Sequence, residues 1–234
     1  MTAEETLSDV GELIPVELNL KKRYDASRVA LLECTKEEDL RARTRELLRL
    51  LGCLDKVIHP GDRVLIKTNA TGMRPREDGA VTDPEMVWGV VESLKELGVP
   101  AGAIFIGDAA AYDRSTFEMF RFLGYDRLSR ETGAQLIDLD TPAYMRVIVP
   151  GGGLAYRSYL FKEAVRGFDV LISACKMKTH GRGDVTLGMK NLLGMIPTYP
   201  LAGYPRGAIL HAAGSDVGRL IGDTPPRDLT IEHY

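Results

Sequence analysis

The run R-V-L-I-K-T at residues 63–68, followed after a polar loop by T-D-P-E-M-V-W-G-V-V-E-S-L-K-E-L-G at residues 82–98, decides the fold class. The first run is short, apolar and bounded by the turn residues H-P-G-D at 59–62, which predicts a strand. The second has a capping residue (Thr82 or Asp83), Pro84 in the first turn, and Met86, Val87, Val90, Val91, Leu94 and Leu97 at helical spacing before Gly98. That pattern predicts a helix with one buried side.

The alternation continues in both directions. Upstream, S-R-V-A-L-L-E-C at 27–34 predicts a strand. Thr35 with Glu38 forms a capping-box pattern ahead of a helix whose apolar stripe is Leu40, Leu47, Leu48 and Leu51. Downstream, residues 103–106 predict a strand ending at Gly107-Asp108. A helix over 116–132 follows, then strands at 135–139 and 145–149 and a triple-glycine turn at 151–153. Next come a short helix at 159–166, a buried strand at 168–174, helices at 186–195 and 215–221, and a strand at 229–232. Strands that alternate with helices predict a single α/β domain: a mostly parallel sheet with helices on both faces, Rossmann-like and doubly wound. Residues 1–27 read as an N-terminal arm or irregular first strand, and residues 28–234 as the domain. The last strand lies two residues from Tyr234, which leaves room for a natural chain that continues further.

Composition narrows the function classes. The 234 residues are 44% hydrophobic and 27% charged, with a net charge of −3, a globular balance that argues against a general nucleic-acid binder. No apolar run approaches the ~20 residues that span a bilayer. Residues 1–13 are acidic and lack signal-peptide order, so a cytoplasmic location is expected. Cys34, Cys53 and Cys175 form no C-x-x-C pair, which predicts free thiols and no self-contained zinc or iron–sulfur site.

In open parallel sheets, ligands sit beyond the carboxyl ends of the strands. The residues just past predicted strand ends are Lys67, Thr68 and Asn69, then Asp108, then Lys176, Lys178, Thr179 and His180. Their convergence would make a positive pocket suited to a carboxylate or phosphate, with crowding that lowers lysine pKa values toward base chemistry. The stretch C-K-M-K-T-H-G-R-G-D-V-T-L-G-M-K-N at 175–191 is the richest in such groups. Gly181 and Gly183 let the backbone approach a ligand. Thr186 is expected to cap a helix that carries Lys190 on the same face, with Asn191 beside it. The segment 183–190 nearly matches a Walker A loop, but one residue intrudes before the lysine and Asn191 replaces Ser or Thr. No G-x-G-x-x-G follows a strand, and no clear motif encodes a cofactor. His180, His211 and Asp108 are the candidate ligands should a metal bind.

The run I-S-A-C-K-M-K-T-H-G-R-G-D-V-T-L-G-M-K-N-L-L-G-M-I-P resembles the signature of the domain-of-unknown-function 362 family. So do V-L-I-K-T-N-A-T-G at 64–72, V-T-D-P-E-M-V at 81–87 and I-G-D-A at 106–109. The resemblance covers roughly residues 28–231. It implies cytoplasmic prokaryotic α/β proteins, some fused to ferredoxin-type iron–sulfur domains. This chain has no cysteine array, so an iron–sulfur role would need a partner protein or a further part of the chain. By matching position the resemblance puts Lys67, Asn69, Asp108, Lys176, Lys178, Thr179, His180, Lys190, Asn191 and His211 at the site. The leading expectation is an enzyme acting on an anionic small molecule. His180, Lys178 and His211 would be catalytic, and Lys67, Asn69, Asp108, Lys176, Thr179, Lys190 and Asn191 would bind the substrate. The alternatives are a redox or metal-handling protein working with an iron–sulfur partner or bound metal, and a non-catalytic anion-binding module.

Overall fold

The structure, a computed structural model, describes residues 15–16, 28–70, 72–110, 115–141, 143–151, 158–180 and 184–196, with the backbone alone at 15–16, 158–160, 180 and 184. Four parallel strands form the central sheet: β2 (Val64–Lys67), β3 (Ile104–Asp108), β4 (Gln135–Asp138) and β7 (Val170–Ser173), in the order β4-β3-β2-β7. The chain steps outward from β2 to β3 to β4 and then returns to the other side of β2. The direction therefore reverses between β2 and β7, which makes their carboxyl ends the topological switch point where ligands bind in such sheets.

One face of the sheet carries the long helices. Ile66, Ile104 and Ile106 point there and bury against Val87, Val91 and Leu94 of α3 (Pro84–Glu96), Phe120 of α4 (Thr116–Leu123) and Leu128 of α5 (Tyr125–Thr132). The opposite face, reached by the period-two alternation of side chains, buries Leu65. Phe105 lies against it, in edge contact with Phe168 at 5.0 Å between ring centroids. The connection from β4 back to β7 covers this face with Phe161 of β6 (Ser158–Lys162) and Val165 in the 3-10 turn Glu163–Gly167. Met195, in the 3-10 turn Leu192–Met195, completes the cover. A return on the second face is what right-handed crossovers require once the strand order reverses. A smaller sheet joins β1 (Pro15–Val16), β5 (Tyr144–Ile148) and β6, with β5 and β6 antiparallel.

Helix α3 begins as the sequence predicts, with the Asp83 carboxylate accepting from Glu85 N at 2.9 Å, and Gly98 follows it at φ +87°. Helix α1 (Leu40–Leu51), which the single turn α2 (Leu54–Val57) follows, packs against α3 where Gly89 leaves room for Arg41 and Thr44. A Cβ at position 89 would stand 2.6 Å from the Arg41 carbonyl oxygen. Across this seam Arg41 pairs with Glu85 at 2.6 Å and covers the Trp88 ring at 3.7 Å.

Several elements differ from expectation. Residues 28–34 form no strand, and Val29 and Leu31 are almost fully exposed; an apolar run without a ladder partner stays coil. Thr35 N does donate to the Glu38 carboxylate at 2.7 Å, but α1 starts later, capped by Asp39. The helix expected over 116–132 is two helices, broken at Gly124 with φ +88°. Residues 158–162 are strand, not helix, because they pair along β5. Strand β7 is only partly buried. It lies at the edge of the four-stranded sheet among the described residues. The helix expected over 186–195 is instead β9 (Asp184–Thr186), the single turn α6 (Gly188–Asn191) and a 3-10 turn. The elements expected at 215–221 and 229–232 lie outside the described residues.

Candidate functional site at the switch point

The carboxyl ends of β2, β3 and β7 converge on a buried polar cluster. Lys67, the last residue of β2, is 1% exposed and its Nζ lies 2.7 Å from Asp108 Oδ1 at the end of β3. It also donates to the Thr68 carbonyl. Asp108 is saturated: Oδ2 accepts from Ala70 N at 2.7 Å and the Thr68 hydroxyl at 3.3 Å, and Oδ1 accepts from Ala109 N at 2.8 Å. A buried charge pair is tolerated only when its remaining hydrogen bonds are met, as they are here. The pair therefore neutralises itself and fixes the ends of two strands.

Asn191 locks the return segment onto this cluster. Its Nδ2 donates to the Lys67 carbonyl and to Ser173 Oγ, each at 3.1 Å. The backbone of Gly194 comes so close that a Cβ there would stand 2.7 Å from both Lys67 Nζ and Asp108 Oδ1. On the other side, Thr82 ties the ends of β2 and β7 together. Its hydroxyl donates to the Ala174 carbonyl at 2.6 Å and accepts from Asn69 N at 3.0 Å, while its N–H donates to the Asn69 carbonyl at 2.9 Å.

Over the switch point lies a two-stranded hairpin, β8 (Lys178–His180) paired antiparallel with β9. Register sets Lys178 opposite Thr186 and Thr179 opposite Val185. Thr179 and Val185 are exposed, whereas Thr186 is buried and Lys178 half-buried, so the Lys178–Thr186 face is turned inward. Lys178 reaches the Ala80 carbonyl with its amine. Burial, then the nearby Arg74 guanidinium, holds its pKa below the usual lysine value. Burial also lowers Lys190. The Lys176 side chain lies against Gly79 on the same loop.

The expected site residues thus sort into three groups. Lys67, Asp108, Asn69, Lys178 and Asn191 come together at the switch point. Lys176 and Lys190 are half-buried beside it, and Thr179 faces outward. Lys190 does not share a helix face with Thr186, which is a strand residue. His180 ends β8 opposite Asp184 in register, and His211 lies outside the described residues. Among the described residues no three His, Cys, Asp or Glu side chains group as metal ligands. Sequence reasoning missed Thr82 and Gly194, which hold the cluster together. The T-D-P start of α3 hid the first behind a capping role, and a glycine inside an apolar run signalled nothing about its neighbours.

Residues 64–224 match the family described as Domain of unknown function (DUF362). The chain is also 32% identical over 167 residues to the Thylakoid-associated protein sll1697 of Synechocystis sp. (strain ATCC 27184 / PCC 6803 / Kazusa). The match covers 68% of this chain and 46% of that protein, so the chain spans less than half the length of this relative. No solved structure matches the chain. No helix among the described residues is long and apolar enough to cross a membrane.

Proposed function

For this chain, which belongs to the DUF362 family, we propose an enzyme that binds an anionic small molecule, a carboxylate or phosphate, in the crevice beyond β2 and β7. The observation that carries the reading is Lys178. Its amine is half-buried on the inward face of the hairpin. It is held by a backbone carbonyl and forms no ion pair with a carboxylate among the described residues, and Arg74 repels it more strongly than Asp108 attracts it. Taking a cation partly out of water beside a second cation is unfavourable, and a bound anion offsets that cost. Lys67 already has Asp108 as its counter-charge, so its role is to shape the floor.

In this reading Lys178 neutralises the anion, Lys176 and Lys190 flank it, and Asn69 orients it. His180 at the end of β8 and His211 are the candidates to move a proton. The test is isothermal titration of the protein with inorganic phosphate and a panel of short carboxylates, repeated with Lys178→Met. A micromolar-to-millimolar anion whose affinity weakens with salt and drops roughly tenfold or more in the variant supports the reading. Equal affinity in parent and variant would sink it.

A further inference from the structure

Two buried polar atoms near the switch point, on Asn69 and Thr186, have no hydrogen-bond partner among the described residues. Asn69 is 4% exposed and both its backbone groups are bonded to Thr82, yet its side-chain Oδ1 meets no donor. Thr186 is 6% exposed and its Oγ1 is likewise unmet. Both residues are tied to the switch point where the anion is proposed to bind. Asn69 continues β2 past Lys67, and Thr186 stands opposite Lys178, whose amine reaches the loop that Thr82 ties to Asn69. Buried polar side chains are nearly always paired, and an orphan acceptor in a cleft asks for a donor from outside the chain.

Electrostatics limits what that donor is. Lys178 feels the charges of Arg74 and Lys67, with Asp108 as the opposing charge among the described residues, so an ammonium donor is repelled and a neutral hydroxyl is not. We infer that the anion bound here carries a hydroxyl on its carbon chain, which donates to Asn69 Oδ1 beside the Thr186 hydroxyl. The inference rests on the anion reading above and names the ligand class within it: a hydroxylated carboxylate or a hydroxylated phosphate ester.

The experiment compares matched pairs by isothermal titration of the full chain: glycerol 1-phosphate against n-propyl phosphate, and glycerate against propionate. Parent, Asn69→Leu and Thr186→Val proteins are used, each checked for a native far-ultraviolet spectrum and cooperative melting. In the pair whose charged group the crevice accepts, the hydroxylated member binds roughly fivefold or more tightly to the parent, and Asn69→Leu brings the ratio close to one. Which pair shows the effect distinguishes phosphate from carboxylate. Equal binding of both members to the parent overturns the inference, because water then satisfies the two atoms, while the anion reading stands. A ratio that survives both substitutions also overturns it. Binding of neither pair overturns the anion reading and this inference together. If Asn69→Leu fails to fold, the parent ratio and its loss in Thr186→Val decide.

Discussion

Asn191 and Lys67, 124 positions apart, are bonded in both directions: Asn191 Nδ2 donates to the Lys67 carbonyl at 3.1 Å, and Lys67 Nζ reaches Asn191 Oδ1 at 3.5 Å. The first bond closes the end of β2, and Ser173 Oγ draws the same amide to the end of β7. Asn191→Leu keeps the volume and removes the donations to the Lys67 carbonyl and to Ser173 Oγ, leaving that carbonyl with the Ala174 N–H alone, at 2.8 Å. The expected loss is about 1–3 kcal/mol of unfolding free energy, read from urea denaturation with an unchanged m-value. A loss below that range would mean that the return segment is held by its apolar contacts alone.

The Lys67–Asp108 pair predicts a strongly non-additive result. Lys67→Met leaves a carboxylate that is 3% exposed without its cation, which costs about 3–5 kcal/mol. Asp108→Asn alone leaves the ammonium equally stranded. The double variant Lys67→Met/Asp108→Asn has no buried charge and is expected to be more stable than the Lys67→Met single variant. A double-mutant cycle by denaturant unfolding measures the coupling, and additivity of the two losses would show that the pair contributes nothing as a pair.

The same pair shows how far the sequence is legible. From residue 63 to residue 138 the strand–helix order is readable because apolar spacing, Asp83 capping and Gly98 termination all agree. The strand-end rule then draws Lys67, Asn69, Asp108 and Lys178 to one edge. It does not reveal that Lys67 and Asp108 neutralise each other, because burial of a lysine is invisible in composition. Residues 159–162 and Thr186, expected in helices over 159–166 and 186–195, are strand because non-local and hairpin pairing override helix-compatible composition. Residues 28–34 differ in the opposite sense: they have strand composition but no ladder partner among the described residues.

Two glycines separate fold from site. Gly89→Ala would favour the helix by propensity but drives a Cβ to 2.6 Å from the Arg41 carbonyl and 2.8 Å from Thr44 Cβ, so α1 must shift. Gly194→Ala pushes a Cβ to 2.7 Å from Lys67 Nζ. Each is expected to cost about 1–3 kcal/mol. Only Gly194→Ala is expected to weaken anion binding as well, since only it disturbs the floor of the crevice. Thermal melting and titration of the two variants check this, and equal effects on binding would contradict it.

Lys178 gives the pH dependence its sign. Burial and Arg74 lower its pKa in the folded protein, while in the unfolded chain it returns to its ordinary 10.5. Between the folded value and 10.5 the unfolded state holds more protons at this site, so its contribution to stability rises with pH across that window. Anion binding runs the other way: the ligand meets an ammonium only below the folded pKa, so affinity falls as pH rises through it. Lys190, lowered by burial alone, titrates in the same sense, so the informative quantity is the difference between parent and Lys178→Met. Denaturant unfolding and anion titration from neutral pH toward 10.5 are expected to give the variant a shallower rise in stability and a flatter affinity profile. Identical slopes would mean that Lys178 titrates as a solvated lysine and that its inward position confers no special chemistry.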